Sequence, residues 1–188
     1  MMKTFKRIFL LLATLLIILL IWAAFIPGDC QYEKSISINA PVEKVWQNTN
    51  TLKAMDQWSP WNDLDPGMKK EWTGTTGQHG EKVCWDSKNK QAGKGCQELE
   101  KVDEAGKRID TAIKFLTPYE SEVNAYVTVV PEGNGSKATW GFTSEIPYPF
   151  TLMKLFMNME NAIGKDYQKG LSRLKALSEN LNKKTNST

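Results

Sequence analysis

Apolar and polar positions sort most sharply in the last third of the chain. Leu152, Leu155, Phe156, Met159, Ile163, Tyr167, Gly170, Leu174, Leu177 and Leu181 recur every three or four residues, and Lys154, Asn158, Asn161, Lys165, Gln168, Ser172 and Glu179 fall on the far side. That period predicts a helix with one apolar stripe. Unbroken from Phe150 to Leu181, it would run to about 48 Å, long for a globular helix. A helix of that length needs a wide curved surface to lie on.

Upstream, the period changes to that of strands. Residues 32–39 alternate through Ser35, Ile36, Ser37 and Ile38, the pattern of a half-buried strand. Asn39-Ala40-Pro41 then opens a short helix over 41–48 that turns Val42, Val45 and Trp46 inward, Pro being favourable in a first helical turn. A second short helical or turn segment covers 52–55. Six further strands follow, over 69–73, 81–87, 92–102, 108–116, 120–130 and 137–146, each break carrying residues suited to turns. Antiparallel neighbours are the natural pairing. The expected fold class is α+β: a curved seven-stranded antiparallel sheet wrapped around one long C-terminal helix. No internal repeat is present.

The N-terminus follows neither pattern. Ile8 to Ile26 is uncharged and nearly all apolar, about the length that a bilayer core demands. Lys3, Lys6 and Arg7 precede it and the next charge is Asp29, so the positive-inside bias would leave the N-terminus cytoplasmic and send the rest across. A cleaved signal peptide would have a shorter apolar region and a small-x-small site, which Ala23-Ala24-Phe25 matches poorly. Cys30 is a poor lipidation site, because Pro27-Gly28-Asp29 lacks the small residue that such processing prefers. The expected organisation is a cytoplasmic tip and single-pass transmembrane anchor over 1–29, a domain over 30–181 on the extracytoplasmic side, and a polar tail over 182–188.

Charge removes one function class. The chain carries 24 basic and 21 acidic residues. Three of the basic ones precede the apolar stretch, so the remainder is balanced. The basic excess or stripe of a nucleic-acid binder is missing. The pI near 8.6 belongs mostly to the anchor.

Two tryptophans stand close together in Trp58-Ser59-Pro60-Trp61, placed either to plug one end of the core or to line a ligand entrance. Asp63 and Asp65 lack the remaining ligands of a calcium loop and suit turns instead. Cys84 and Cys96 lie on the two strands of one expected hairpin. If its turn centres on Lys90, paired positions sum to about 180, which sets Cys84 opposite Cys96 and Trp85 opposite Gly95. Directly opposed cysteines are near bonding range, and an extracytoplasmic compartment would permit a disulfide. The alternative is two separate buried thiols. Val83, Trp85, Gly95, Gln97 and Leu99 would share the opposite face, toward the helix.

The order strand, two short helices, six strands, long helix resembles the helix-grip fold of the START/plant-allergen superfamily, often called SRPBCC, and within it the polyketide cyclase/dehydrase-like branch. The resemblance covers roughly residues 32–178. It is carried by Ile36-Ser37-Ile38-Asn39-Ala40-Pro41-Val42-Glu43-Lys44-Val45-Trp46, by Trp58-Ser59-Pro60-Trp61, by Thr139-Trp140, and by Gly164-Lys165-Asp166-Tyr167-Gln168-Lys169-Gly170-Leu171 with Leu174-Lys175. It implies a deep, mostly apolar cavity between sheet and helix. Relatives use that cavity for lipids, steroids, polyketides and other hydrophobic molecules, some as enzymes and others as carriers or sensors.

Candidate chemistry is sparse. His79 is the one histidine, so no metal-ligand spacing exists and neither a metal nor a cofactor is expected. No phosphate loop, nucleophile elbow or histidine–carboxylate pairing stands in the sequence. Glu160 and Asp166 border the helix stripe, where a carboxylate at a cavity wall would have a raised pKa and could act as general acid or base. For ligand binding the candidates are Trp72, Trp85, Leu99, Phe115, Tyr126, Trp140 and Phe142 on strands, facing Met153, Phe156, Met157, Met159 and Ile163. The same residues could equally fill a solid core. The expected function is binding of a hydrophobic small molecule or lipid at a membrane surface. One rival is a cyclase/dehydrase- or hydrolase-like enzyme on an apolar substrate, which a polar pair converging inside the cavity would favour. The other is an envelope interaction module with a filled core, which predicts no pocket of about 300 Å3 or more and an exposed apolar patch instead.

Overall fold

The computed structural model describes residues 2–156 and 158–185, with only the backbone path of 2, 3 and 180–185. Met157 and the last three residues of the tail lie outside the described residues. The chain divides into two compact units, Met1–Cys30 with Glu145–Asn158, and Gln31–Ser144 with Met159–Thr188.

In the first unit, α1 (Met2–Ala23) is uninterrupted because nothing in its sequence breaks a helix. Its stretch Thr4–Ala23 is long and apolar enough to cross a membrane, or to serve as a signal sequence. The end is tightened by the amides of Phe25 and Ile26, which donate to Trp22 and Ala23, and Pro27 then supplies no further donor. The segment 145–158 is folded back on that end. The Ile146 amide donates to the Gly28 carbonyl at 2.8 Å, and the Thr151 hydroxyl donates to the Ala23 carbonyl at 2.7 Å. Lys154 Nζ donates to the carbonyls of Pro27, at 2.7 Å, and Asp29. A hydroxyl thus meets the last carbonyl of α1, and a cation lies among the carbonyls that follow it, beyond the helix's negative dipole end.

The second unit holds most of the sheet. The strands are β1 (Asp29–Ile38), β2 (Lys69–Thr73), β3 (Lys82–Asp86), β4 (Lys94–Asp103), β5 (Arg108–Thr117), β6 (Ser121–Glu132) and β7 (Gly135–Glu145). They form one seven-stranded sheet in the order β1-β7-β6-β5-β4-β3-β2. From β2 to β7 it is a meander of antiparallel pairs. Two short helices, α2 (Val42–Gln47) and α3 (Leu52–Asp56), and a 3-10 turn over Pro60–Asp63 link β1 to β2. The Thr51 hydroxyl caps α3 by accepting from the Ala54 amide. Buried Glu81 accepts from the amides of Gly77, at 2.8 Å, and Leu52, at 3.3 Å, tying the loop before β3 to the start of α3.

The expected 32-residue helix is shorter. Residues 150–155 form a 3-10 turn in the first unit. The helix proper opens with one wide π turn, Glu160–Gly164, and continues as α4 (Lys165–Thr185). The apolar spacing runs through the break, but Thr151 and Lys154 hold the preceding segment to the carbonyls of Ala23, Pro27 and Asp29. Leu155 and Phe156 therefore belong to the first unit, where both are exposed.

Along α4 the core is closed. Tyr167, Leu171, Leu174 and Ser178 are buried, as are Ile109, Val127, Val129 and Ala138 on the sheet. Trp140 stacks on Tyr167 with ring centroids 4.2 Å apart, and Trp58 and Trp61 meet Trp140 edge-on at 4.9 and 5.2 Å. Gly170 lets α4 approach this stack, since a Cβ there would lie 2.8 Å from the Trp140 ring. Asp63 holds the Trp58–Trp61 loop to α4 through Lys169 and Arg173, at 2.5 and 2.6 Å. These cations pull its carboxyl down to about 2. Asp65 shapes its turn by accepting from the Ser87 hydroxyl and the amides of Lys88 and Gly67.

A candidate ligand chamber between sheet and helix

Beyond the aromatic stack the core opens. A chamber of about 440 Å3 lies between β2–β5 on one side and Met159, Ala162, Ile163 and Asp166 on the other. A smaller space of about 150 Å3 adjoins it, sharing Trp61, Val83, Gln97, Ile113, Phe115 and Ile163, and ends against Trp140, Phe142 and Tyr167.

The hairpin β3–β4 builds the floor. Its register is the one expected: Cys84 opposes Cys96 and Trp85 opposes Gly95. The two cysteines are joined in a disulfide, on the face away from the chamber. Alternation then turns Val83, Trp85 and Gln97 inward. Gly95 also pairs with Phe115, and the rings of Trp85 and Phe115 meet edge-on above it, 5.8 Å between centroids. Any side chain at Gly95 would collide, its Cβ falling 2.4 Å from the Trp85 ring. The Trp85 indole N–H donates to the Ala92 carbonyl at 3.0 Å, so it presents no unpaired donor to the chamber.

One wall is polar. Lys70 pairs with Trp85 across β2–β3 and so faces inward. Its Nζ lies 2.5 Å from Asp56 Oδ1 and 2.6 Å from Asn62 Oδ1, and the Asn62 amide donates back to the Asp56 carbonyl at 2.8 Å. The pair is half-buried, with 20% of the lysine and 33% of the aspartate side chain exposed. Deeper in, the Gln97 amide donates to the buried Thr111 hydroxyl at 3.0 Å. Lys70, Asp56 and Asp166 are the charged residues of the chamber lining, one cation against two carboxylates.

The expected ligand residues separate into two groups. Trp85, Phe115, Met159 and Ile163 line the larger chamber, and Trp140 and Phe142 close the smaller one. Both of the last pair face inward because β7 stays in register with β6 throughout. Leu99 is fully buried in closed core, and Trp72 lies under the Lys53 ammonium, 5.9 Å away, outside either chamber wall. Tyr126 is on the outer face of the sheet. Ala125 and Val127 face inward, so alternation sends Tyr126 out across Gly141, where its hydroxyl donates to Glu33 and Arg108 stacks on its ring at 4.3 Å. Burial, then the bond to Glu33, pushes its phenol up to about 12. Phe156 belongs to the first unit and is 88% exposed.

The two acidic candidates also part. Asp166 lines the chamber. Glu160 does not: Lys34, at 2.6 Å, and the Tyr32 hydroxyl draw it toward β1. Those bonds lower its pKa, Lys34 contributing most, the opposite of what a general acid needs. Lys70, Asp56 and Asn62 went unpredicted. Placing Trp72 inward implies Lys70 inward as well, since residues two apart on a strand share a face. Asp56 and Asn62 come from loops whose approach no local pattern reveals.

The family model for polyketide cyclase/dehydrase and lipid transport matches residues 29–179. The chain belongs to this family. Its fold is the helix grip of the SRPBCC superfamily, shared with the crystal structure of Ara h 8.0201 at 17% identity, covering 79% of this chain and 99% of that one, TM-score 0.53. A protein of Nitrosospira multiformis is similar at 19% identity, with coverage of 78% and 94% and TM-score 0.57. One of Thermobifida fusca matches at 17%, with coverage of 78% and 94% and TM-score 0.56. No curated protein matches the sequence. Family and fold together suggest a hydrophobic ligand in the helix-grip cavity, and fold alone does not fix the chemistry.

Proposed function

We propose that this member of the polyketide cyclase/dehydrase and lipid transport family is a carrier or sensor. It binds a hydrophobic small molecule or lipid in the chamber between β2–β5 and the start of the long helix. The observation that carries this reading is a largely apolar space of about 440 Å3 with one small cluster of polar groups, Lys70, Asp56 and Asn62. That is the composition of ligand sites, which begin at about 300 Å3. It speaks against a filled-core interaction module. The lysine is already matched by a carboxylate, and Asp166 adds a second. An apolar molecule with a neutral hydroxyl or carbonyl therefore suits the wall better than a free acid, whose charge would meet two carboxylates.

The same reading places the domain beside a membrane on the extracytoplasmic side, held by an uncleaved α1. The apolar length of α1 and the disulfide support it. A second reading, an enzyme of cyclase or dehydrase type, is favoured by the polar groups of one wall converging on an apolar space.

Native mass spectrometry of the full chain, released from its own membranes in mild detergent, tests the binding reading. A retained molecule that disappears in Ile163→Trp is the expected result, because that side chain lines both spaces and a larger one fills them. The substitution should leave stability within about 1–3 kcal/mol. A protein that stays empty, with no response to neutral lipids, refutes the reading. Turnover of an added apolar substrate that vanishes with Lys70→Met would move the assignment to the enzyme.

A further inference from the structure

We infer that residues 147–156 are a second membrane contact, an apolar loop that sits in the lipid interface at the exit of α1. This rests on reading α1 as a membrane span. Within ten residues Tyr148, Phe150, Met153, Leu155 and Phe156 are all exposed, each by half or more of its surface. Across the whole second unit, the large exposed hydrophobics among the described residues are Leu116, Tyr119 and Val130. A soluble surface leaves single apolar side chains scattered, and a run of five signals a partner.

The occupant follows from where the run is fastened. Thr151 and Ala23, both buried, join hydroxyl to carbonyl at 2.7 Å, and Ile146 joins Gly28 at 2.8 Å. The loop is thereby clamped to the last turn of α1, whose own apolar surface is uncovered. Wherever that turn leaves the bilayer, the loop is held at the same depth. Trp22 and Phe25 are exposed at this end of α1, and with Tyr148 they give the aromatic composition of a membrane–water interface. The one charge in the loop, Lys154, is folded back onto the carbonyls of Pro27 and Asp29, so its ammonium stays with polar partners while its neighbours face outward. A protein partner would explain the apolar run, but not its attachment to a span's exit.

The test uses the unmodified chain in vesicles of phosphatidylcholine and phosphatidylglycerol. A phosphatidylcholine bearing a diazirine near the ester end of its acyl chain is photolysed, and adducts are mapped by peptide mass spectrometry. Adducts on α1 and on 147–156 are expected. Replacing Met153 and Phe156 together by Asp should lower the loop adducts roughly tenfold, the factor that 1.4 kcal/mol of lost transfer energy gives, with the α1 adducts unchanged. Adducts on α1 alone overturn the inference and leave the anchor standing. Adducts on neither overturn the anchor and the inference with it. Chain-to-chain crosslinks through 147–156 in place of lipid adducts show that a second copy covers the loop, and overturn it too.

Discussion

Cys84 and Cys96 sit on the outer face of the hairpin whose inner face carries Val83, Trp85 and Gln97, so opening their bond tests stability and chamber together. The two residues are 12 apart. A loop of that size constrains the unfolded chain by about 3 kcal/mol in the chain-entropy treatment. For a protein of this length each kcal/mol moves the melting temperature by about 2–4 °C. Cys84→Ala with Cys96→Ala should therefore melt roughly 6–12 °C lower, and reductant should bring the native chain to the same value. The loss has a place as well as a size. β2 and β3 are five residues each, and β3 is held to β4 by five residue pairs, of which the disulfide is the central one. Amide exchange should accelerate over 69–86 and 94–98, with β6 and β7 keeping their protection. Thermal melts of the full chain in detergent, with and without reductant, supply the first number, and exchange mass spectrometry the second. A shift below about 2 °C, under 1 kcal/mol on the same scale, would refute the entropic reasoning. Acceleration spread evenly over all seven strands would refute the claim that the bond guards the hairpin.

Gly95→Val should cost about 1–3 kcal/mol, because its Cβ meets the Trp85 ring at 2.4 Å; chemical denaturation measures it, together with a changed Trp85 environment in near-ultraviolet circular dichroism. Lys70→Met leaves the half-buried Asp56 with Asn62 as its side-chain partner and should destabilise by about 1–2 kcal/mol. The variant should bind a hydroxylated ligand about tenfold more weakly, as loss of one such hydrogen bond implies, and a pure hydrocarbon no worse, by titration calorimetry. Asp63 has a folded pKa of about 2, below its value of 3.8 when unperturbed. Its contribution is therefore complete above about pH 4 and disappears as pH falls through about 2. Melting temperature against pH should drop over that window, and Asp63→Asn should flatten the drop.

The strands were legible because turn residues punctuate them, and one hairpin turn fixed a register to the residue. Once Cys84 faced Cys96, alternation alone put Val83, Trp85 and Gln97 inside. The rule also bears on Tyr126. Its aromatic ring suggests the inner face, although its neighbours Ala125 and Val127 have the better claim to it. A strand cannot turn all three the same way. Gly141, which receives the Tyr126 ring on the outside, was the overlooked signal. Phe156 departs from its expected place for a different reason. A helical period reports that residues share a face, but not what the face meets, and the exposed turn at 150–156 satisfies the same spacing as the start of a core helix. Lys70 was hidden by its charge, since a lysine in a short strand reads as solvent-facing until its partners are known.

The two ends of the second unit divide the labour between holding the fold and holding a ligand. At the closed end, bulk meets its absence: Trp140, Tyr167 and Trp58 interlock, and Gly170 gives up its side chain so that α4 can seat on them. At the other end the helix wall presents Ala162, Ile163 and Met159, too short to reach Trp85 and Phe115 across the sheet, and the mismatch is the chamber. Apolar wall that faces solvent forgoes the burial that packed side chains gain, about 25 cal/mol per Å2. The open end is thus held at a cost which a bound molecule would recover, and any ligand should raise the melting temperature. It also follows that the ends respond differently to substitution. Tyr167→Ala removes a ring that touches Trp140, Trp61, Phe142 and Tyr32, so it must loosen the fold itself. Ile163→Trp adds atoms where there is room, and can abolish binding while the closed end keeps the chain folded.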